Sequence, residues 1–500
     1  MQRAQDHEVS IQSPAKANVV RWTLVAVLVM SLASGIFLVA DLSRRPHRTH
    51  LTAPQTSIRL SNNSQVYAAV HKQPEQYEQY DKSYFDPANV EPYDFSGHDY
   101  LHIFSRLPPR GFSEWLKMAE TDKCTTHVKS YAQIYSDLDP WMQEGRIDPK
   151  TLIFPKQDAD YIQVNNYRQD SYFTLGLQVL FRSANLPPFK FLTNLLDEPV
   201  ALPATDGYSD SAYANPQETL LHNACLRTTY NDTGIAAAHS SFTSPATFEA
   251  KNTRVPVFSQ VKPRCYADIL MPMTMNHIAI AQRGHVHDPV PWERKKKVLF
   301  WRGSTTDGDH TEARWPLWRQ GHRMRLGDWA NAYAKANPGR VFDAGVSDPS
   351  TVDGPLMVDV GFHAVIQCEE NACNEMKEKY SVKQKVPLEK TMEFKYLLVV
   401  DGNTWPNRLQ SYLETNSVLL YNGIFIDWYS FQLRPWIHFV PVRVDLADLE
   451  ERLEWLQAND GKARQISENA RALMAKMNEM NQLKCYVGLL FIEYSNLFNV

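Results

Sequence analysis

Two stretches place an arginine just beyond a short apolar run, and both have the local pattern of an anion site. In the first, Val298-Leu299-Phe300-Trp301 precedes Arg302-Gly303-Ser304-Thr305-Thr306. In the second, Tyr396 to Val400 precedes Asp401-Gly402-Asn403-Thr404 and a predicted helix carrying Arg408 about one turn in. In an α/β sheet, ligands bind outside the carboxyl ends of strands, and the N–H groups opening the next helix favour an anion. A guanidinium adds a planar fork of donors matched to phosphate. Gly303, Ser304 and Thr305 on one loop, and Gly402, Asn403 and Thr404 on the other, would add backbone or hydroxyl donors. Two such loops facing one another would hold a diphosphate.

A third stretch, Phe189 to Pro199, is a predicted strand that delivers Asp197 to its carboxyl end, where Pro199 stops it from continuing. Read from the residues alone, an Asp just before a proline-containing turn is a turn residue. Two Asp-x-Asp pairs, Asp137-Leu138-Asp139 and Asp307-Gly308-Asp309, have the spacing that holds a divalent ion on sugar diphosphates. The first falls in an amphipathic helical pattern and reads as structural, while the second follows the Arg302 loop and stays open. His285-Val286-His287 lacks a third ligand at metal spacing. No His-Glu-x-x-His zinc motif, P-loop lysine motif or Gly-x-Ser-x-Gly elbow is present.

These residues need a sheet to position them. Predicted strands are Tyr161 to Val164, Phe189 to Leu196 and Val255 to Phe258, then Val298 to Trp301, Met357 to Val360, Tyr396 to Val400, Ser417 to Tyr421 and His438 to Val442. Their alternation with helical or loop segments predicts a parallel sheet with covering helices. Leu446, Leu449, Leu453 and Leu456 share one face of a helix expected from Asp445, with Asp445 or Asp448 as its cap. Further helices are expected over 463–480 and 485–498.

Taken in order, Trp301-Arg302-Gly303-Ser304, Lys395-Tyr396 with Asp401-Gly402 and Arg408, and Leu433 to Val442 resemble the protein O-glucosyltransferase family, glycosyltransferase family 90, which includes fungal capsule-associated xylosyltransferases. The resemblance runs over roughly residues 120–495. It implies two Rossmann-like lobes of GT-B type and an inverting transfer of xylose or glucose from a UDP-sugar to a glycan or protein hydroxyl. The family's catalytic carboxylate lies in an Asn-x-x-Asp-x-Pro motif, matched here by Asn194, Asp197 and Pro199, which makes Asp197 the general base. Arg302 and Arg408 then face the leaving diphosphate. No permanently bound cofactor and no required divalent metal are expected. Asp427 stands where the family has Glu, and Trp405 where smaller residues are common, so the nucleotide or sugar contact at Asp427 is open, with a surface acid as the alternative.

The 500 residues are 43% hydrophobic and 22% charged with a formal net charge of −4, which gives no electrostatic case for nucleic acid. Thr23 to Ala40 is apolar enough to span a bilayer and reads as an uncleaved signal anchor. The chain thus divides into a cytosolic tail (1–22), an anchor (23–40), a stem (41–96), a first lobe with the base (97–290) and a nucleotide-sugar lobe (291–500). The sequons at Asn62 and Asn231 favour a lumenal catalytic part, in a single-pass type II protein of the Golgi or endoplasmic reticulum membrane. The six cysteines are then disulfide candidates. The resemblance implies Cys124 with Cys485, and Cys368–Cys373 and Cys225–Cys265 are further candidates. Two other readings are a catalytically silent glycan- or nucleotide-binding relative and a glycoside hydrolase. The hydrolase lacks a carboxylate pair, because Asp197 and Glu198 would point to opposite faces of a strand.

Overall fold

The structure is a computed structural model. It describes residues 100–101, 104, 106–143, 162–166, 177–186, 189–201, 239–246, 256–263, 266–272, 277–313, 317–345 and 354–497. The expected tail, anchor and stem, both sequons and the Cys225–Cys265 pair lie outside the described residues. Among the described residues no helix is long and apolar enough to cross a membrane.

The fold is mixed α/β, built on two main sheets. The first contains β1 (Ile162–Asn166), β2 (Lys190–Asn194), β3 (Val257–Ser259) and, beyond β4 (Val261–Pro263), β5 (Ile269–Leu270), in the order β1-β2-β3-β5. β1 and β2 are antiparallel, whereas β2, β3 and β5 run parallel. The second sheet holds β6 (Lys296–Ser304), β7 (Met357–Ala364), β8 (Phe394–Val400), β9 (Val418–Asn422) and, after β10 (Phe425–Asp427), β11 (Val440–Pro441). Its order is β11-β9-β8-β6-β7 and every pairing in it is parallel.

A parallel sheet is covered on both faces, and its central strands show it: every residue of β8 is buried. Period-two alternation sorts the side chains between two cores. Val298 and Phe300 of β6 join Leu397 and Val399 of β8 in one, while Leu299 and Trp301 join Tyr396, Leu398 and Val400 in the other.

Nine helices matter to the site or its support. In chain order they are α1 (Phe112–Thr121), α2 (Ala132–Gln143), α3 (Ala279–Arg283), α4 (His322–Ala336), α5 (Glu370–Lys379), α6 (Arg408–Tyr412), α7 (Leu449–Ala458), α8 (Asp460–Met477) and α9 (Met480–Ser495). Met324 and Leu326 of α4 and Leu449, Leu453 and Leu456 of α7 cover one face of the second sheet. α7 starts at Leu449 and not at Asp445. Asp448 sits at its N-cap position, but its carboxylate takes the Arg443 N–H and the Arg452 guanidinium instead of capping.

α9 returns to the first sheet. Phe491 packs its ring 5.0 Å from Phe191 and 5.8 Å from Phe258, and Tyr494 lies 4.8 Å from Phe258. The Cys124–Cys485 disulfide ties this helix to the chain just after α1, as the resemblance implied. Cys368 and Cys373 form a second, local disulfide.

A two-stranded antiparallel ribbon joins the sheets, with Asp427 of β10 opposite Val261 of β4. β4 follows β3 of the first sheet after Gln260, and β10 follows β9 of the second after a short turn. The ribbon therefore brings the carboxyl end of one sheet beside the carboxyl end of the other.

Candidate active site

Relabelled along the second sheet, the strand order is 2-1-3-4-5, a doubly wound order whose switch point lies between its first and third strands. Those strands are β6 and β8. Ligands of such sheets bind in the crevice outside the carboxyl ends at that point. Arg302 lies near the end of β6 and Arg408 opens the helix that follows β8, so the fold itself brings the two arginines together.

Both local expectations change in detail. β6 does not end at Trp301: its ladder with β7 continues through Arg302↔Gly361 and Gly303↔Phe362 to Ser304↔Ala364, so Arg302 projects from a strand and not from a loop. The helix carrying Arg408 begins at that residue and is five residues long. Pro406 disfavours the helical conformation for Trp405, which keeps Gly402 to Trp405 in an irregular turn. So short a helix supplies little dipole, and the anion-binding capacity must come from side chains.

Those side chains line a cleft of about 510 Å³. Arg283, Arg302, Lys385, Arg408 and His363 face it together with Ile280, Phe300, Val386, Leu388 and Tyr412, and no Asp or Glu is among its described lining residues. Arg302 is buried and its Nη2 donates to both oxygens of Asp359 at 2.8 Å, with Asp343 at 3.3 Å. Asp359 also pairs with Lys383 at 2.7 Å, so one carboxylate is shared between two cations. Nε and Nη1 of Arg302 are buried without a hydrogen-bond partner. Each such orphan costs about 1–3 kcal/mol, a cost that an acceptor entering the cleft would remove. Arg408 donates to the backbone carbonyl of Arg302.

The remaining loop residues act on the backbone of the site. Gly303 has no room for a side chain, since a Cβ would sit 2.5 Å from the Trp301 ring. The Ser304 hydroxyl bonds that of Thr306 at 2.9 Å. Thr305 is fully buried and exchanges two hydrogen bonds with the Ile366 backbone. Gly402 is held 3.0 Å from the Thr306 carbonyl, measured from an added Cβ. The Asn403 amide pairs with the Gln367 amide at 3.2–3.3 Å and accepts the Gly308 N–H at 3.1 Å, while Thr404 is buried in the same turn. Asn403 and Thr305 therefore fasten the two turns to the segment after β7.

Arg323, from α4, fastens the same two turns to each other. Its guanidinium donates to the Asp401 carbonyl at 2.7 Å, the Ser304 carbonyl at 2.9 Å and the Thr306 hydroxyl at 2.8 Å. Burial, with Arg408 nearby, lowers its pKa to about 10, so it stays charged at neutral pH. Burial likewise drives the stacked rings of His239 and His322, 3.9 Å apart, down to about 3, and both are neutral. His322 Nε2 donates to the Asp401 carbonyl at 2.9 Å. Burial raises the Asp401 carboxyl to about 6, although it accepts the Ile424 and Phe425 N–H groups.

Asp307 belongs to this network. It is fully buried and accepts from His310 at 2.7 Å, from the Arg323 N–H at 2.9 Å and from Ser240 at 3.2 Å. Burial opposes its ionisation, but His310, His322 and Arg323 together hold its pKa well below the usual carboxylate range. Asp137 is buried too, paired with Lys262 at 2.7 Å. Among the described residues no group of three or more His, Cys, Asp or Glu is placed to hold a metal ion. Asp427 is not a surface acid: it is fully buried, 2.7 Å from His277 Nε2.

Asp197 lies in the turn after β2 and is exposed, with Gln260 Nε2 donating to it at 3.2 Å. The turn is built by Asn194, whose amide donates to the Glu198 carbonyl at 2.7 Å and to Ser259 at 3.1 Å while accepting the Leu196 N–H at 2.9 Å. Behind it, Asp268 accepts the Val200 and Ala201 N–H groups and the Ser259 hydroxyl. Gln260 lies between β3 and β4, so its bond ties the Asp197 turn to the point where the ribbon begins.

The chain matches the family description "Glycosyl transferase family 90" over residues 241–500, just over half its length. The chain belongs to glycosyl transferase family 90. The match covers both arginine segments and starts downstream of Asp197. Similar proteins include protein O-glucosyltransferase 2 of Danio rerio, 25% identical over 261 residues, which is 48% of this chain and 43% of that protein. Protein O-glucosyltransferase 1 of Rattus norvegicus is 24% identical over 210 residues, covering 42% and 44% of the two chains. An uncharacterized protein, 035R, of Invertebrate iridescent virus 3 is 42% identical over 81 residues, 16% of this chain and 7% of that one. The chain thus spans less than half the length of these relatives.

The strand-to-turn arginine pattern marked Arg302 and Arg408, but not Arg283, His363, Lys385 or Arg323. Lys385 belongs to a small basic run, Lys383-Gln384-Lys385, whose only sequence signal is its charge. The other three lie on elements whose facing is set by packing.

Proposed function

We propose that this glycosyltransferase moves glucose or xylose from a UDP-sugar to a hydroxyl of a glycan or protein acceptor, with inversion, in a GT-B arrangement of two lobes. The observation that carries the reading is the cleft at the β6/β8 switch point, lined among the described residues by four cationic side chains and no carboxylate, with two buried nitrogens of Arg302 unpaired. A sugar-linked diphosphate carries two negative charges and many oxygen acceptors. Charge-assisted contacts from Arg302 and Arg408 would bind it and strengthen as charge grows on the leaving oxygen. The names of the relatives, protein O-glucosyltransferases, support glucosyl transfer.

In the single displacement, Asp197 takes the proton of the acceptor hydroxyl, whose oxygen attacks the anomeric carbon. The bond from that carbon to the diphosphate oxygen breaks and UDP leaves without a proton. A transition state of oxocarbenium character, as in glycoside hydrolysis, needs no second carboxylate when cations hold the leaving group. The side-chain cations supply the charge for which other transferases use a divalent ion, so none is required. UDP-sugar and acceptor are the partners; nucleic acid is not.

The apolar run 23–40 would anchor the protein, single-pass and type II, in the Golgi or endoplasmic reticulum membrane with its catalytic part in the lumen. Disulfides such as Cys124–Cys485 persist in that oxidising compartment.

UDP release from a panel of UDP-sugars, with and without EDTA, tests the reading. Release from one donor, unchanged by EDTA, is expected. Binding of UDP without release from any donor, across a panel of glycan and protein acceptors, would replace it with the silent-relative reading.

A further inference from the structure

β7 carries one residue more than β6 at its carboxyl end: Gly303 pairs with Phe362 and Ser304 with Ala364, leaving His363 without a partner across the ladder. An extra residue of this kind re-aims a side chain at the rim of a site. Period-two alternation puts His363 on the face of Asp359 and Gly361, the face on which Arg302 lies. His363 accordingly lines the cleft beside Arg302 and Arg408.

We propose that His363 is a further ligand of the donor diphosphate, taking up a proton from solvent as the diphosphate enters. This rests on the reading of the cleft as the UDP-sugar site. The charged groups that line the cleft with His363 are Arg302 from β6, Arg283 from α3, Arg408 from α6 and Lys385 from the segment after α5, and Tyr412 of α6 is the other titratable group there. The carboxylates nearest this set, Asp359 on its own strand and Asp343, are engaged by Arg302, and Asp359 also by Lys383. Burial first, then Arg408, Lys385 and Arg302, hold the imidazole below its usual range while the cleft is empty. A bound diphosphate reverses the sign of the local field and gives the charged ring an acceptor, so the ring charges on binding. A ring whose pKa rises in the complex makes binding tighter below that pKa, and the gain is lost as pH rises through it.

The test is calorimetric titration of the full-length chain with UDP-glucose, and then UDP-xylose, in buffers of different ionisation enthalpy. Both probes are phosphodiesters without a proton to exchange near neutrality, unlike UDP, whose terminal phosphate titrates at about 6. Uptake of roughly half to one proton per donor near pH 7 is expected, with binding about five- to tenfold tighter at pH 6 than at pH 7.5. His363→Asn should lose the uptake and change by less than about twofold over that range. No uptake by the wild type, or uptake retained in His363→Asn, overturns the proposal. If that variant does not fold, the wild-type uptake and His363→Arg, whose fixed charge should make binding independent of pH, decide. Pairing these with Arg408→Met separates the two readings. Donor binding lost there but insensitive to pH in the wild type sinks only the histidine, whereas no donor binding by the wild type sinks both.

Discussion

Arg408 donates from its guanidinium to the backbone carbonyl of Arg302, so the cation that follows β8 grips the end of β6. The contact crosses the switch point of the sheet beside the cleft that both residues line. Arg302 in turn rests on Asp359, whose two oxygens it engages from a single nitrogen. The two arginines thus differ in what they support, one being built into a buried ion pair and the other bound to a main-chain oxygen.

That difference predicts different losses. Arg302→Met leaves the buried Asp359 with Lys383 as its cation, and removing one partner of a buried pair costs about 3 kcal/mol or more. Arg408→Met should weaken UDP binding by roughly tenfold to a hundredfold with a smaller stability loss. Urea denaturation and UDP titration of both variants check this; equal destabilisation by the two would contradict it.

Asp197 is exposed and its side chain accepts from Gln260, whereas Asn194 is buried and makes three bonds within its turn and to Ser259. Asp197→Asn should therefore lower turnover by about 10²–10⁴-fold with melting temperature and UDP affinity unchanged. Asn194→Ala should cost about 1–3 kcal/mol of stability and lower turnover with it. Turnover retained in Asp197→Asn would remove the base assignment.

The disulfides should separate by loop length. Cys124–Cys485 spans 361 residues and Cys368–Cys373 spans 5. Chain entropy assigns roughly 6 kcal/mol to the first and about 2 kcal/mol to the second. Replacing Cys124 and Cys485 by Ser should lower the melting temperature more than replacing Cys368 and Cys373. The local pair lies beside Gln367, which holds Asn403, so its loss should raise KM for the donor.

His322 gives a pH prediction. Burial lowers its pKa from 6.5 to about 3, so below pH 6.5 the unfolded chain binds a proton that the folded chain does not, and stability falls with pH. His322→Gln removes that proton from the balance. The variant is less stable at pH 7 because the ring's bond to the Asp401 carbonyl is weakened or lost, but the deficit should shrink by about 1 kcal/mol at pH 5.5. Denaturant titrations at the two pH values read it, and a deficit constant with pH would mean that the ring is not buried neutral.

The sequence by itself determined the parallel sheet and the two arginine-bearing strand ends. Runs such as Tyr396 to Val400 are apolar on both faces, which only a doubly covered strand requires, and turn residues mark where they end. The ordered motifs carried the family, and with it the Cys124–Cys485 pair. Tertiary structure decided what the local pattern does not contain. β6 extends through Arg302 because β7 supplies a ladder beyond the apolar run, and the Arg408 helix is short because Pro406 delays its start. Thr305 and Asn403 resemble ligand donors in the sequence, yet the segment after β7 takes their hydrogen bonds. Asp427 is open in the sequence between a donor contact and a surface acid, and the fold buries it against His277, 150 residues earlier. Arg283, His363 and Lys385 reach one cleft from three elements far apart in the chain. Their convergence is fixed by strand order and by a one-residue bulge, neither of which has a signature in local sequence.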